Sequence, residues 1–213
     1  MMQIDKFSDF VCPWCWIGKR NLDAFARERP ISRTYWPYYL HPDLPSHGVD
    51  RTEMILVKFG SVERARELGR VVEQAALLSG LELDLGSVRH VPNTRDAHRL
   101  MRWAAGQACA DDVAERLFAA HFAEGRDIGE AATLVEIGIA AGLDSSLLTE
   151  LLAGEADRDE VDSQANQARE MGISGVPTMM FDRKVTVVGA QPVDALRAAA
   201  ARADTREPRA VSF

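Results

Sequence analysis

The sequence predicts an α/β domain interrupted by a large all-helical insertion, and three observations predict it. Runs of aromatic and branched residues fall only near the two ends, at residues 2–10, 31–40, 176–182 and 185–188. From about residue 50 to 171 the chain is instead Ala, Leu, Glu and Arg at helical spacing, with little β-branched alternation. A close cysteine pair, Cys12-Pro13-Trp14-Cys15, stands where the first strand hands over to a helix.

In residues 2–10, Ile4, Lys6, Ser8 and Phe10 alternate imperfectly with Gln3, Asp5, Phe7 and Asp9, as in a strand. Ile17, Leu22 and Phe25 then recur near helical spacing until Pro30 ends the helix. Residues 31–40 read as a second strand, in which Pro37 argues for an edge position, a bulge or the strand's end. Residues 41–48 hold two prolines and a glycine and form a loop. Breaks at 79–80, 86–93, 125–129, 142–144 and near 154 divide the central block into five or six helices. Asp144 and Ser145 ahead of Leu147 and Leu148 supply a helix cap. Two late apolar runs joined by Arg183 and Lys184 predict a hairpin, and an Ala-rich helix over 191–202 closes the fold. Residues 205–213 read as a polar, frayed tail. The order β-α-β, helices, β-β-α gives one small domain from residues 1–45 and 174–213, with an insertion over 46–173.

Composition narrows the function. The 213 residues carry a net charge of −7 and are 46% hydrophobic, which excludes a disordered chain, a fibre and a polybasic nucleic-acid binder. No run reaches the roughly 18 apolar residues of a membrane span. Asp5 and Lys6 fall where an export signal would need its apolar stretch, so a cytoplasmic location is expected. Three cysteines are too few for a disulfide scaffold, and in a reducing compartment a close pair is catalytic or metal-binding.

Cys-x-x-Cys at a helix start has a definite mechanism. Free helical N–H groups and the positive dipole end favour an anion there, so a thiolate is expected at Cys12. A fall in pKa from ~8.5 to ~6.5 would raise the thiolate fraction at pH 7 from ~3% to ~75%, a shift worth ~2.7 kcal/mol. Pro13 suits the first turn, where a missing N–H costs nothing. Cys15, one turn on and more buried, is placed to resolve a mixed disulfide formed by Cys12. The same spacing also fits half of a zinc site, which would want two further Cys or His; Cys109, His90, His98 and His121 are scattered and show no second pair. More than 160 residues on, Val176-Pro177 enters a late strand. An X–Pro bond tolerates the cis form, which would leave Val176 backbone groups free for an extended substrate; a trans proline starting an edge strand fits the local sequence as well.

The stretches from Asp9 to Gly18, Asn93 to Leu100 and Gly172 to Pro177, with Gly189-Ala190-Gln191, together resemble the DsbA-like branch of the thioredoxin superfamily. More narrowly they resemble its cytoplasmic FrnE-type members, related to 2-hydroxychromene-2-carboxylate isomerases and kappa-class glutathione transferases. The resemblance implies a thioredoxin fold, Cys12 as nucleophile, Cys15 as resolving thiol and Pro177 as a cis-proline, with Val176 offering backbone contacts to substrate. It also implies a homodimer. Isomerase and transferase relatives typically present a serine and lack the second cysteine, so the retained pair favours dithiol–disulfide exchange. Trp14 replaces the histidine usual in periplasmic members, which points to a less oxidising pair.

The expected activity is therefore that of a cytosolic thiol–disulfide oxidoreductase or isomerase acting on protein or small-molecule thiols and disulfides. No bound cofactor or metal is expected, and glutathione is the candidate co-substrate. The alternatives are a glutathione-dependent isomerase or transferase acting on an aromatic small molecule, and a non-catalytic or zinc-bound interaction module. Trp14 offers an apolar surface beside the sulfurs. His98 is a candidate for lining the cleft, against a structural role; Asn93 and Thr94 read as a helix cap. Cys109 reads as a buried small hydrophobe, Trp16, Trp36 and Trp103 as core, and one of Met179 and Met180 must face the core.

Overall fold

The structure, a computed structural model, describes residues 1–205. A four-stranded sheet in the order β2-β1-β5-β6 is built from β1 (Met2–Ser8), β2 (Ile31–Pro37), β5 (Thr178–Phe181) and β6 (Val185–Val188). Strand β1 pairs in parallel with β2, from Met2 opposite Ile31 to Ser8 opposite Pro37, and antiparallel with β5, Ile4 opposite Phe181. Pro37 thus ends an edge strand, where no ladder bond is lost. Every residue of β1 except Gln3 is buried, because layers cover both faces of this central strand. That is why its alternation reads poorly.

Helix α1 (Pro13–Glu28) and helix α9 (Val193–Thr205) cover one face, where Ile4, Leu22, Phe25, Met179, Phe181 and Leu196 pack together. The β5–β6 hairpin turns through Asp182 and Arg183, both at positive φ, one residue earlier than the sequence suggests. Residues 206–213, read above as a frayed tail, lie outside the described residues.

The insertion holds seven helices among the described residues rather than five or six: α2 (Arg51–Phe59), α3 (Val62–Leu78), α4 (Arg95–Gly106), α5 (Ala110–Phe122), α6 (Ala131–Ala140), α7 (Ser145–Ala153) and α8 (Arg158–Glu170). Two breaks account for the difference. Gly60, at φ 80°, ends α2, and Ser61 caps α3 by accepting from the Arg64 N–H; Ala108, at φ 58°, separates α4 from α5. The insertion is also not all-helical. Val49–Asp50 (β3) pairs antiparallel with His90–Val91 (β4), two residues a side and too short for a periodic signal. Asp144 caps α7 as expected, accepting from the Leu147 N–H at 2.8 Å. Thr94 precedes α4 without a side-chain cap bond, while Asn93 accepts from the Arg95 N–H instead.

One apolar cluster unites Phe10, Cys12, Cys15, Trp16 and Ile17 with Leu100, Met101, Val113, Leu117, Phe118 and Phe122 of the insertion. The helical layer therefore packs directly on the segment that carries the cysteines.

Candidate active site

Cys12 is the N-cap of α1 and Pro13 its first residue, so the helix starts inside the Cys-Pro-Trp-Cys motif. The Asp9 carbonyl accepts from the Cys12 N–H at 3.2 Å, and the Cys12 carbonyl from the Cys15 N–H at 2.9 Å. Across the site the Val176–Pro177 bond is cis, and the Cys12 thiol lies 3.6 Å from the Val176 carbonyl. Helix α1 approaches this loop closely because residue 18 is glycine: a Cβ there would stand 3.1 Å from Pro177 Cγ. The structure thus brings Cys12, Cys15, Val176 and Pro177 together. Trp14 is half-buried and packs against the same cluster.

Both thiols are buried, and they differ in charge preference. The Cys12 thiol is pushed up, first by its hydrogen bond to Cys15 and then by burial. Cys15 moves down although burial opposes it, because the Cys12 thiol, the Lys6 ammonium, the Ser8 hydroxyl and the Asp9 N–H all favour its anion. The helix-end argument expects a lowered pKa at Cys12; in this structure the thiol makes no side-chain cap bond and is directed at the Val176 carbonyl, and its neighbour Cys15 and its burial oppose the anion.

His98 is only 5% exposed, and its ring sits 5.0 Å from that of Phe10 and 5.6 Å from that of Tyr39. Its Nε2 lies 3.7 Å from Asp9 Oδ1, so it meets the cysteine segment through Asp9 and Phe10. Together with Ser8, Phe10, Tyr35, Trp36 and Met101 it lines a cleft of about 220 Å³ between the sheet and α4. Cys109 is half-buried and begins α5, rather than fully buried as expected. Trp16 is core, whereas Trp36 and Trp103 are half-buried, and Met179 takes the core-facing position.

Lys6, Ser8 and Asp9 are the residues the sequence did not single out. All three are buried, and a lysine in an alternating strand gives no sign of burial by itself. Asp9 also orders the segment after β2, accepting from the Leu40 N–H at 2.8 Å. Glu115 of α5 was missed as well: it accepts from the Trp16 indole N–H at 3.0 Å and pairs with Lys19 and Arg20 of α1. Among the described residues no three His, Cys, Asp or Glu side chains converge as a metal site requires. No helix is long and apolar enough to cross a membrane.

Comparison with known proteins agrees with this geometry. The model of the DSBA-like thioredoxin domain matches residues 3–201. A probable DsbA oxidoreductase from Streptomyces coelicolor superposes with a TM-score of 0.88 at 27% identity, covering 100% of this chain and 94% of that one. The cytosolic disulfide reductase DsbM from Pseudomonas aeruginosa, solved with GSH, has the same fold: TM-score 0.63, 19% identity, 95% and 94% coverage. A 2-hydroxychromene-2-carboxylate isomerase shares it too: TM-score 0.73, 20% identity, 96% and 100% coverage. The uncharacterized protein YwbO of Bacillus subtilis strain 168 is 24% identical over 182 residues, 84% of this chain and 86% of its own. Strand order, the cysteine pair at the head of α1 and the matched span together place the chain in the DSBA-like thioredoxin domain family.

Proposed function

We propose that the protein is a cytosolic thiol–disulfide oxidoreductase or isomerase in which Cys12 attacks and Cys15 resolves. One observation carries this reading: two cysteines stand one helical turn apart beside the Val176 carbonyl, the second wholly enclosed behind the first. Cys12 forms a bond to one sulfur of a substrate disulfide and expels the other as a thiolate. Cys15 then bonds to Cys12 Sγ and expels the second thiolate, so two electrons pass from the dithiol to the substrate. The reverse sequence oxidises a substrate dithiol. Substrates are protein or small-molecule thiols and disulfides, with glutathione as co-substrate and no resident cofactor. Trp14 and Val176 contribute the contact surface around Pro177.

The test is equilibration in graded glutathione redox buffers, read by tryptophan fluorescence, since Trp14 lies between the two cysteines in sequence. A reversible two-electron transition is expected. A pair that forms no intramolecular disulfide at any ratio overturns the reading. The aromatic cleft beside His98 favours a second reading, glutathione-dependent chemistry on an aromatic small molecule. Cys15→Ser separates the two, trapping a mixed disulfide under the first and sparing turnover under the second. A homodimer is supported by apolar side chains exposed on α2 and α3, Val57, Val71, Leu77 and Leu78 among them, and light scattering reads it directly.

A further inference from the structure

A cleft of about 430 Å³ lies between α2, α3 and the segment 85–89, and it shares no residue with the cysteine site. The face that α3 turns to it follows helical spacing: Val62, Ala65, Arg66, Gly69, Arg70 and Glu73. Opposite stand Arg51 and Ile55 of α2, with Leu85, Val88 and Arg89. Ile55, Val62, Leu85 and Val88 are buried or half-buried and give the cleft an apolar floor, while Arg66, Arg70 and Arg89 are exposed at its rim. Gly69 is a poor residue for the middle of a helix. A Cβ there would make only ordinary contact, 3.6 Å from Leu85 Cδ1, so packing does not require glycine; its missing side chain keeps the floor open.

Most arginines outside the cleft are held by carboxylates, as Arg33, Arg95 and Arg99 are. Among the described residues none of the four that line it, Arg51, Arg66, Arg70 and Arg89, has a carboxylate within ion-pair distance. Of the two carboxylates in the lining, Asp50 is engaged in capping α2, accepting from the Thr52 and Glu53 N–H groups at 2.7 and 3.2 Å, and Glu73 stands beyond ion-pair reach. Like charges are instead set side by side. Arg66 and Arg70 are one turn apart on α3, a spacing that destabilises a helix. Arg51 donates through Nη1 to the Leu85 and Val88 carbonyls and through its N–H to the Arg89 carbonyl at 3.0 Å, so backbone bonds rather than a counter-ion hold it in the cleft. Burial first, and then the neighbouring Arg89 charge, press Arg51 toward its neutral form. Four cations against two carboxylates leave a surplus of two, in a chain whose net charge is −7.

We propose that this cleft binds a phosphate monoester with a small apolar or aromatic body, its phosphoryl group held by the arginine rim and its body lying on Ile55, Val62, Leu85 and Val88. A monoester carries about two negative charges at pH 7 and three acceptor oxygens, which matches the surplus and takes guanidinium bonds from more than one arginine. A carboxylate brings one charge and a single bidentate face. The space left over Ala65 and Gly69 admits the body, and the volume falls within the roughly 300–1,000 Å³ of small-molecule sites. The inference goes beyond the thiol–disulfide reading and does not rest on it.

The test is isothermal titration calorimetry of the full chain with phenyl phosphate at low ionic strength, beside inorganic phosphate and benzoate. The expected result is one-to-one binding of phenyl phosphate, about tenfold tighter than either of the other two. Arg66→Gln combined with Arg70→Gln should weaken it about tenfold or more without lowering the urea midpoint. Arg116→Gln combined with Arg197→Gln removes the same charge elsewhere on the surface and should leave the affinity unchanged. Gly69→Leu keeps every arginine but fills the floor, and should abolish the advantage over inorganic phosphate. The proposal is overturned by the absence of saturable binding in the millimolar range, by benzoate binding as tightly as phenyl phosphate, or by an equal loss in the two arginine pairs. A Gly69→Leu variant that retains the advantage overturns it as well. The titration involves no thiol chemistry, so its outcome is separate from that of the glutathione equilibration.

Discussion

Replacing Arg99 by methionine is expected to destabilise the protein by ~3–5 kcal/mol, the range for stripping one partner from a buried, hydrogen-bonded charge. The Arg99 guanidinium is fully enclosed and makes four hydrogen bonds, three of them to one junction and one to Asp96 on its own helix. Its Nε donates to the Ala156 carbonyl at 2.7 Å, its Nη2 to the Leu151 and Gly154 carbonyls at 2.5 and 2.9 Å, and its Nη1 to Asp96 at 2.8 Å. It also lies over the Trp103 ring, 5.2 Å from the centroid. Leu151, Gly154 and Ala156 belong to the end of α7 and the turn into α8, where carbonyls lack intrahelical partners and the dipole is negative. Methionine fills much of the volume but leaves those carbonyls unpaired, at about 1–3 kcal/mol for each that water does not reach. Lysine keeps the charge without the planar fork, so Arg99→Lys should lose about half as much, ~2 kcal/mol. Urea unfolding followed by circular dichroism at pH 7 reads both. With a slope of ~2–3 kcal/mol/M, the methionine midpoint should fall by ~1–2 M. A methionine variant within ~1 kcal/mol of wild type, or a lysine variant no better than methionine, would refute the reasoning.

The other expectations concern pH, charge and close packing. His121 is buried, and desolvation pushes its imidazole down to about 4. Between the unfolded value of ~6.5 and about 4 the unfolded chain binds a proton the folded chain refuses, so stability falls with pH by ~1.4 kcal/mol per unit. Wild type should therefore lose ~2 kcal/mol more than His121→Gln between pH 7.5 and 5, and equal losses would contradict it. Glu115→Gln leaves Lys19 and Arg20 without their shared anion; a loss of ~1–3 kcal/mol and a shifted Trp16 emission are expected, and an unchanged urea midpoint would rule this out. Gly18→Val forces side-chain atoms against Pro177 and Met179, for ~1–3 kcal/mol, and a thermal midpoint equal to wild type would sink the close-approach argument.

What was legible in the sequence had a local cause. The strand–cysteine–helix junction, the late hairpin, the Asp144 cap and the helical character of the insertion each rest on a few neighbouring residues. The cysteine pair and the 172–177 segment, far apart in sequence, were joined by family resemblance rather than by spacing. Boundaries set by a single backbone conformation were lost, as at Gly60 and Ala108, each at positive φ between two helices. So was the two-residue ribbon of Val49–Asp50 and His90–Val91. Lys6 escaped for a different reason. Its enclosure follows from β1 being covered by α1 on one side and flanked by β2 and β5, a three-dimensional fact that no window of β1 encodes. The same holds for Glu115, whose partners lie about 95 residues earlier on α1.

The sheet's pairing order has a consequence for the chain as it is made. Strands β1 and β2 leave the ribosome early, yet β1 waits for β5, and Ile4 for Phe181, until the intervening insertion has been synthesised. At roughly 5–20 residues per second, the ~140 residues between β2 and β5 take about 7–28 s. Throughout that interval the nascent protein carries an open, apolar strand edge and an unfinished sheet, although the insertion helices already emerged can pack on the cysteine segment. Strand β1, made long before β5, is therefore completed only after it, and its exposed edge is the part of the nascent chain most open to wrong pairing.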